Sequence, residues 1–461
     1  MTSTPRTDPL QGAPAHRVPV VADPAPSPVG RIRLAGFVLF TALGADAWQS
    51  LLGWPAFIVL VVGLSVASGV VLVRATRGSG VPWMRYSKPL AAFLVLCAAS
   101  IVWSQYTGAT ALGATAQLVT AVAGVFIAVT LSWLEILRAL GTALRWLLGL
   151  SIVFELFTAF FVRGDLRALW LFSGGRGVPD DYQWSTSSLF EGGPIQGIVG
   201  NRNLLAFLVL LALIVFATEW VEKTRRPVSS AAWIGLALLE HGLTRSATVL
   251  MATIAVAFVL VIALLIRRVP IERRLVVYPF GIAGVVVLAG LSIRLADAFF
   301  PLIGRSDNLT GRLAIWDTVV DLAWQHPWGG WGWISYWAPW VEPFKNLIVQ
   351  DGTVYLQAHN AWIDIFLQLG VVGLFVFGCL IAATTVRSWW MAVDPPAPLV
   401  GVPTPFQAIS LLPLLLLTAL VIQSLTESRL LVEGNFLLLV LLATKVKLDP
   451  LPLGPPPRAL R

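Results

Sequence analysis

Apolar residues run through this chain in blocks of about twenty, broken by short polar segments, the pattern of membrane-spanning helices. Windows of this kind fall at roughly 34–50, 54–73, 89–103, 110–131, 137–161, 202–220, 230–243, 245–266, 274–295, 359–383, 407–426 and 431–445. They predict an all-α, polytopic membrane protein with about 12 transmembrane helices. Two of the breaks are far longer than the others, 163–201 and 297–358. The second is expected to hold short amphipathic helices and the polar groups that packing alone does not require. Residues 1–30, rich in Pro, Ala, Ser and Thr, predict a disordered tail that lacks the apolar core of a signal peptide. The helical domain would then run over 31–446, with a Pro-rich linker at 394–405 and a second disordered tail at 447–461.

Composition strengthens the membrane reading. The chain is 57% hydrophobic and 12% charged, with mean hydropathy +0.79, whereas soluble domains carry about 25% charged residues. Its net charge of +8 and pI of 9.9 belong, in such a protein, to loops facing anionic lipid and not to nucleic-acid binding. The order of the cations gives a topology. Arg74, Arg77, Arg85 and Lys88 form one cluster, and Arg138 with Arg145 a second. Lys223, Arg225 and Arg226 follow, then Arg267, Arg268, Arg273 and Arg274, then Lys445, Lys447, Arg458 and Arg461. These segments alternate with loops poor in Lys and Arg. The positive-inside rule therefore puts both termini in the cytoplasm and both long loops outside. Cys97 and Cys379 lie in apolar runs and read as buried small hydrophobes. No Walker loop, Rossmann glycine fingerprint, HExxH or zinc spacing occurs, so neither nucleotide nor metal chemistry is expected.

The long outer loop holds the densest chemistry. Asp307 or Asn308 can cap a helix from Leu309, on which Arg312, Trp316, Val319, Val320 and Ala323 share one face. Asp317 and Asp321 form a second, acidic stripe. Such a helix is expected to lie on the membrane surface with its apolar side down. Next comes His326-Pro327-Trp328-Gly329-Gly330-Trp331-Gly332-Trp333, whose glycines permit unusual backbone geometry. Most of the tryptophans in 324–340 read as a belt at headgroup level, with one or two left as a wall for stacking sugars. The loop ends at His359-Asn360, at the mouth of a helix on which Asn360, Asp364 and Gln368 form a polar stripe. Ionisable groups there are functional candidates, and histidine can take a proton near neutral pH.

Two further segments face the same side. Gly200-Asn201-Arg202-Asn203 opens a span, as a cap or as an anion site at a helix N-terminus. Leu243-Thr244-Arg245-Ser246 forms a tight turn after Glu240-His241, where Arg245 either pairs with Glu240 or joins Arg202 and Arg312 in a clamp for a diphosphate. Glu155 and Asp46, inside apolar runs, fit either satisfied helix–helix contacts or a polar cavity.

The ordered set of motifs resembles the O-antigen ligase and polymerase superfamily of bacterial envelope enzymes. Gly200-Asn201-Arg202-Asn203-Leu204-Leu205-Ala206 is similar to its G-x-x-N-x-x-A segment, and Leu243-Thr244-Arg245-Ser246-Ala247-Thr248 to its Ser/Arg segment. Gly311-Arg312-x-x-x-Trp316 and the following Pro/Gly run resemble its Arg…Pro…G-x-G signature. Ala358-His359-Asn360 with Gly370-Val371-Val372-Gly373 resembles its HN…G-x-x-G. The resemblance implies a GT-C-like membrane glycosyltransferase acting outside the cytoplasmic membrane, in cell-surface polysaccharide biosynthesis. Its donor would be a glycan on undecaprenyl diphosphate, and its acceptor another glycan, a lipid-linked glycan or another envelope molecule; no cofactor or metal is implied. By position, His359 and Arg312 would be catalytic. Arg312, Arg245, Arg202 and Asn203 would bind the donor diphosphate, with Asn360, Asp364 and Trp316 in support. Here the sequence departs from the family: Ala247 follows Ser246 where arginine often stands, and Arg245 precedes it. A transporter or flippase of lipid-linked saccharides is the alternative, although no internal repeat is visible. A shape-determining peptidoglycan polymerase is a third reading, disfavoured by the HN and GR segments.

Overall fold

The computed structural model describes residues 29–77, 86–169, 183–279, 308–350, 353–394 and 406–449, with a few positions in 281–290. The expected terminal tails, the linker at 395–405 and most of the 274–295 window lie outside the described residues. The chain is mostly helical. We label the helices α1 (Val29–Leu43), α2 (Ala45–Thr76), α3 (Lys88–Ala99), α4 (Thr107–Thr130), α5 (Trp133–Phe157), α6 (Arg202–Val221), α7 (Pro227–Thr244) and α8 (Ala247–Arg267). After them come α9 (Asn308–Ala323), α10 (Ala361–Val393), α11 (Leu412–Ser424) and α12 (Glu433–Leu448). The described strands make two short antiparallel hairpins, β1 (Leu166–Arg167) with β2 (Gln183–Ser185) and β3 (Ile348–Gln350) with β4 (Thr353–Tyr355).

Six described helices are long and apolar enough to cross a membrane: α2, α4, α5 with its extension to Val162, α6, α8 and α10. The expected count of about 12 is therefore not reached among the described residues. Helices α1, α3, α11 and α12 have 15, 12, 13 and 16 residues, short of the ~20 that cross a bilayer. Helix α7 has 18 but carries Glu240 and His241. The reason for the difference lies in burial. Helix α12 is apolar because Phe436 through Ala443 are enclosed by protein on every side, and an apolar run marks a core helix as readily as a lipid-facing one. Helix α6 is likewise enclosed, from Leu205 to Ala212 without a break. Helix α2 is the opposite case, exposing Val59, Val62, Val66, Val70 and Val73 along its length, as a lipid-facing helix should.

The bundle has two polar ends. At one, the basic residues anchor helix termini: Arg267 donates to the Ala392 carbonyl and to Ser410, Arg274 pairs with Asp394, and Lys445 donates to the Leu131 carbonyl. Arg145 pairs with the buried Glu219 on the same half of the bundle. The other end carries the loop before α10.

That loop folds into a compact lobe on α10, and it corrects two expectations. Helix α9 forms where the sequence places it, but Ile315, Val319 and Ala323 are its buried face, and they pack into protein with Tyr106, Trp337 and Phe344 instead of facing lipid. Trp333 and Trp337 are fully buried, and only Trp324, Trp328 and Trp340 stand exposed among the tryptophans of 324–340. A ring that suits a headgroup layer suits a protein core equally well, so the pattern alone does not separate them.

Lobe and helix are joined through backbone. Helix α10 breaks at Gly370 (φ 65°, ψ −162°), which interrupts its own hydrogen-bond ladder. The segment 327–332 fills the gap: Trp331 and Gly332 donate to the Leu367 and Gln368 carbonyls at 3.0 and 2.9 Å, while Val371 and Val372 donate to Pro327 and Trp328 at 2.8 and 3.3 Å. A Cβ on Gly330 would strike the backbone of Gln368 and Leu369, and one on Gly370 the backbone of Trp328. Glycine at both positions is thus a condition of the contact.

Candidate active site

The first turns of α10 collect the polar residues. Asn360 is the N-cap, its Oδ1 accepting from the Trp362 and Ile363 amides at 3.0 and 3.3 Å, as a cap should. Its Nδ2 donates to the Leu425 carbonyl and its backbone amide to Ser428 Oγ, both at 3.1 Å. Asp364, one turn on, is buried and accepts from Trp337 Nε1 (2.8 Å), the Ala358 amide (3.1 Å) and Ser428 Oγ. Gln368 accepts from the Ile334 and Ser335 amides and donates to the Ser335 carbonyl. The polar stripe therefore holds the lobe and the 425–428 turn in place, because buried amides need partners.

His359 sits inside this frame with φ 50°, in the left-handed region that non-glycine residues rarely adopt. Both flanking residues are held: the Ala358 carbonyl accepts from Trp316 Nε1 at 3.0 Å, its amide is bound by Asp364, and the Asn360 amide by Ser428. Strain of this kind persists only where surroundings over-determine it, and it gathers at functional sites. The imidazole, edge-on to Tyr355, reaches Glu427 through Nδ1···Oε2 at 3.0 Å. The other oxygen of Glu427 accepts from Arg312 Nη2, also at 3.0 Å. One buried carboxylate thus joins a residue of α9 to the residue that opens α10.

Burial by itself would push the Glu427 carboxyl up; the hydrogen bond and charge of His359, followed by the charges of Arg312 and Arg429, hold it below the ordinary glutamate value. Beside it, Arg429 forms a separate group, pairing with Asp46 at 2.8 Å and with Glu433 at 3.0 Å while Gln49 donates to Glu433 at 3.0 Å. Arg429, Asp46, Glu433 and Asn435 line a cleft whose apolar wall is Leu204, Phe207 and Leu208 of α6. Asp46 therefore has both the satisfied contact and the cavity position that the sequence left open. Glu155 has a satisfied contact, accepting from the Gln196 and Gly197 amides at 2.8 and 2.6 Å.

The remaining arginines stand apart. Asn201 caps α6, leaving Arg202 in the first turn near the Arg429 cleft. Asn203 Oδ1 accepts from Ser246 Oγ at 2.9 Å, tying α6 to the start of α8. Arg245 is exposed at the left-handed cap of α7 (φ 47°), with its guanidinium near Gly192. Its expected pairing with Glu240 is not formed: both Glu240 carboxylate oxygens are buried without a hydrogen-bond partner among the described residues. Arg202 and Arg245 lie at the same end as Arg312, but no described contact joins them to the Arg312–Glu427–His359 array.

Glu427 is the residue that sequence reasoning missed. Its signal was present in Thr426-Glu427-Ser428-Arg429, a run of polar groups between two apolar helices. A turn that short needs no such residues for solubility.

Residues 230–378 match the O-antigen ligase family. Over that segment, about a third of the chain, the match supports a likeness to the O-antigen ligase and polymerase superfamily. No curated protein matches the chain at a significant level. The matched segment of this O-antigen ligase relative contains Arg245, Arg312, His359 and Asp364. Arg202, Asn203 and Glu427 lie outside it. The family implies glycosyl transfer in envelope glycan biosynthesis.

Proposed function

We propose that this protein is a membrane glycosyltransferase of the O-antigen ligase or polymerase type, with a GT-C-like plan. It moves a saccharide from undecaprenyl diphosphate to a hydroxyl of a glycan or other envelope acceptor, at the outer face of the cytoplasmic membrane. One observation carries the reading: an arginine and a histidine from separate elements meet on one carboxylate, at the loop-bearing end of an apolar bundle. In the reaction, the acceptor oxygen attacks the anomeric carbon and its proton passes to His359. The bond from that carbon to the diphosphate oxygen breaks, and the electron pair leaves with the diphosphate, whose charge Arg312 stabilises. The bound proton then returns to water. Arg202, Arg245 and Asn203 belong to the same proposal as outer contacts for the lipid diphosphate. The outer-face assignment is supported by the charge pattern, since the opposite end holds Arg267, Arg274 and Lys445 at its helix termini.

The test is incubation of purified protein with a lipid-diphosphate glycan and candidate acceptors. Release of undecaprenyl diphosphate together with a new glycoside is expected. Movement of intact lipid-linked glycan across vesicles, with no release, would replace this reading with a transporter.

A further inference from the structure

We propose that Glu427 is a positioning residue for this transfer, fixing which nitrogen of His359 acts as the base and linking that base to the occupancy of Arg312. The inference rests on the reading of His359 and Arg312 given above. An ionised carboxylate only accepts hydrogen bonds. Facing Glu427 Oε2 at 3.0 Å, Nδ1 must therefore carry a hydrogen, which leaves Nε2 as the acceptor on the ring. Because the backbone on both sides of His359 is held, the ring has little freedom to offer the other nitrogen. The carboxylate also stabilises the imidazolium formed when Nε2 takes the proton, as the third member of a nucleophile–base–orienter set does.

The shared carboxylate adds a coupling. Arg312 gives Glu427 only one terminal nitrogen, Nη2, and the rest of its fork can meet phosphate oxygens. When a diphosphate draws on Arg312, Glu427 loses part of its cationic compensation and pulls harder on Nδ1–H, so Nε2 becomes a stronger base. Donor binding thereby primes the group that activates the acceptor. During transfer the proton moves from acceptor oxygen to Nε2 while Nδ1–H stays on its nitrogen, and the electron pair of the broken bond leaves with the diphosphate. The charged and titratable groups around this pair are Arg312 from α9, Tyr355 from β4 against the imidazole, Arg429 from the 428–431 turn and Asp364 from α10, with Asp46, Glu433 and Tyr336 beyond Arg429.

Glu427→Gln in the full-length protein tests this. It keeps shape and removes charge. We expect kcat to fall by about a hundredfold, the donor KM to change little, and the acid limb of the kcat–pH profile to move to lower pH as the imidazolium loses its partner. Glu427→Asp should recover part of kcat and return the limb toward its wild-type position. A fall in kcat with an unmoved limb would mean a structural role only and overturn the proposal, as would unchanged kcat. If the variants fail to fold, 15N spectra of histidine-labelled wild-type protein decide it: His359 neutral with hydrogen on Nδ1 is expected, and hydrogen on Nε2 overturns it. Wild-type turnover in both His359→Ala and Arg312→Ala would defeat the underlying reading; loss in both, with Glu427→Gln unaffected, would defeat this inference alone.

Discussion

Two arginine–carboxylate groups sit side by side at the loop-bearing end, and they are built in opposite proportions. In one, the Glu427 carboxylate serves two cationic partners, Arg312 and His359. In the other, Arg429 serves two carboxylates, Asp46 and Glu433. The first group has donor capacity to spare and can accept an anion. The second is acid-rich and already neutralised around its arginine, so an incoming diphosphate would meet repulsion there. The same residue types in two adjoining groups thus have different uses, decided by stoichiometry. Arg429 fastens the last turn to α2, while Arg312 remains available.

That contrast can be broken in order of expected effect. His359→Ala should lower glycosyl transfer by about a thousandfold, the scale of a lost general base, with normal protein level and lipid-linked donor still present on the outer face; assay of glycoside formation checks it. Arg312→Lys keeps the charge but loses the fork, so turnover should fall roughly tenfold to a hundredfold; an unaffected rate would remove the diphosphate role. Arg429→Ala should act on stability instead. It leaves two carboxylates facing each other without their cation, a loss of about 3 kcal/mol, measured by thermal unfolding in detergent. If Arg429→Ala instead reduced turnover of fully folded protein as much as Arg312→Lys, the two groups would not be functionally separate.

Acid provides the gentlest probe. Glu427 ionises more readily in the folded protein than in the unfolded chain. Its contribution to stability is therefore complete above the ordinary glutamate value, about 4.3, and is lost as pH falls through the lower folded value. Thermal unfolding of wild type should weaken across that acid window more than that of Glu427→Gln.

Much of this end of the molecule was legible in the sequence, for local reasons. His359-Asn360 reads as the mouth of a helix, the stretch from Leu309 to Ala323 as a helix, and the glycines of 329–332 as permissive backbone, because each depends on neighbours a few positions away. Glu427 was not legible as a partner of His359. It lies in another turn, 68 residues on, and beyond the segment that matches the O-antigen ligase family. The tryptophans misled because a lipid interface and a protein interior both favour an apolar ring with one donor. The span count misled in the same way, since α12 is apolar to suit protein neighbours. Asp364 and Gln368 formed a polar stripe in the sequence, and they bind backbone amides of the lobe.

The break at Gly370 has a mechanical consequence. Four backbone hydrogen bonds stitch the lobe to the helix on both sides of the break. Lifting the lobe alone would sever them, at about 1 kcal/mol each. Tilting the lobe together with Ala361–Leu369, as one lever pivoting at the glycine, keeps the two bonds to Leu367 and Gln368 but severs those from Val371 and Val372 and the ties of 359–364 to the 424–428 turn. His359 rides at the tip of that lever. The histidine is thus held from two sides, by the lobe through the Ala358 carbonyl and Trp316 and by the 424–428 turn through Glu427 and Ser428, so a shift of either displaces it.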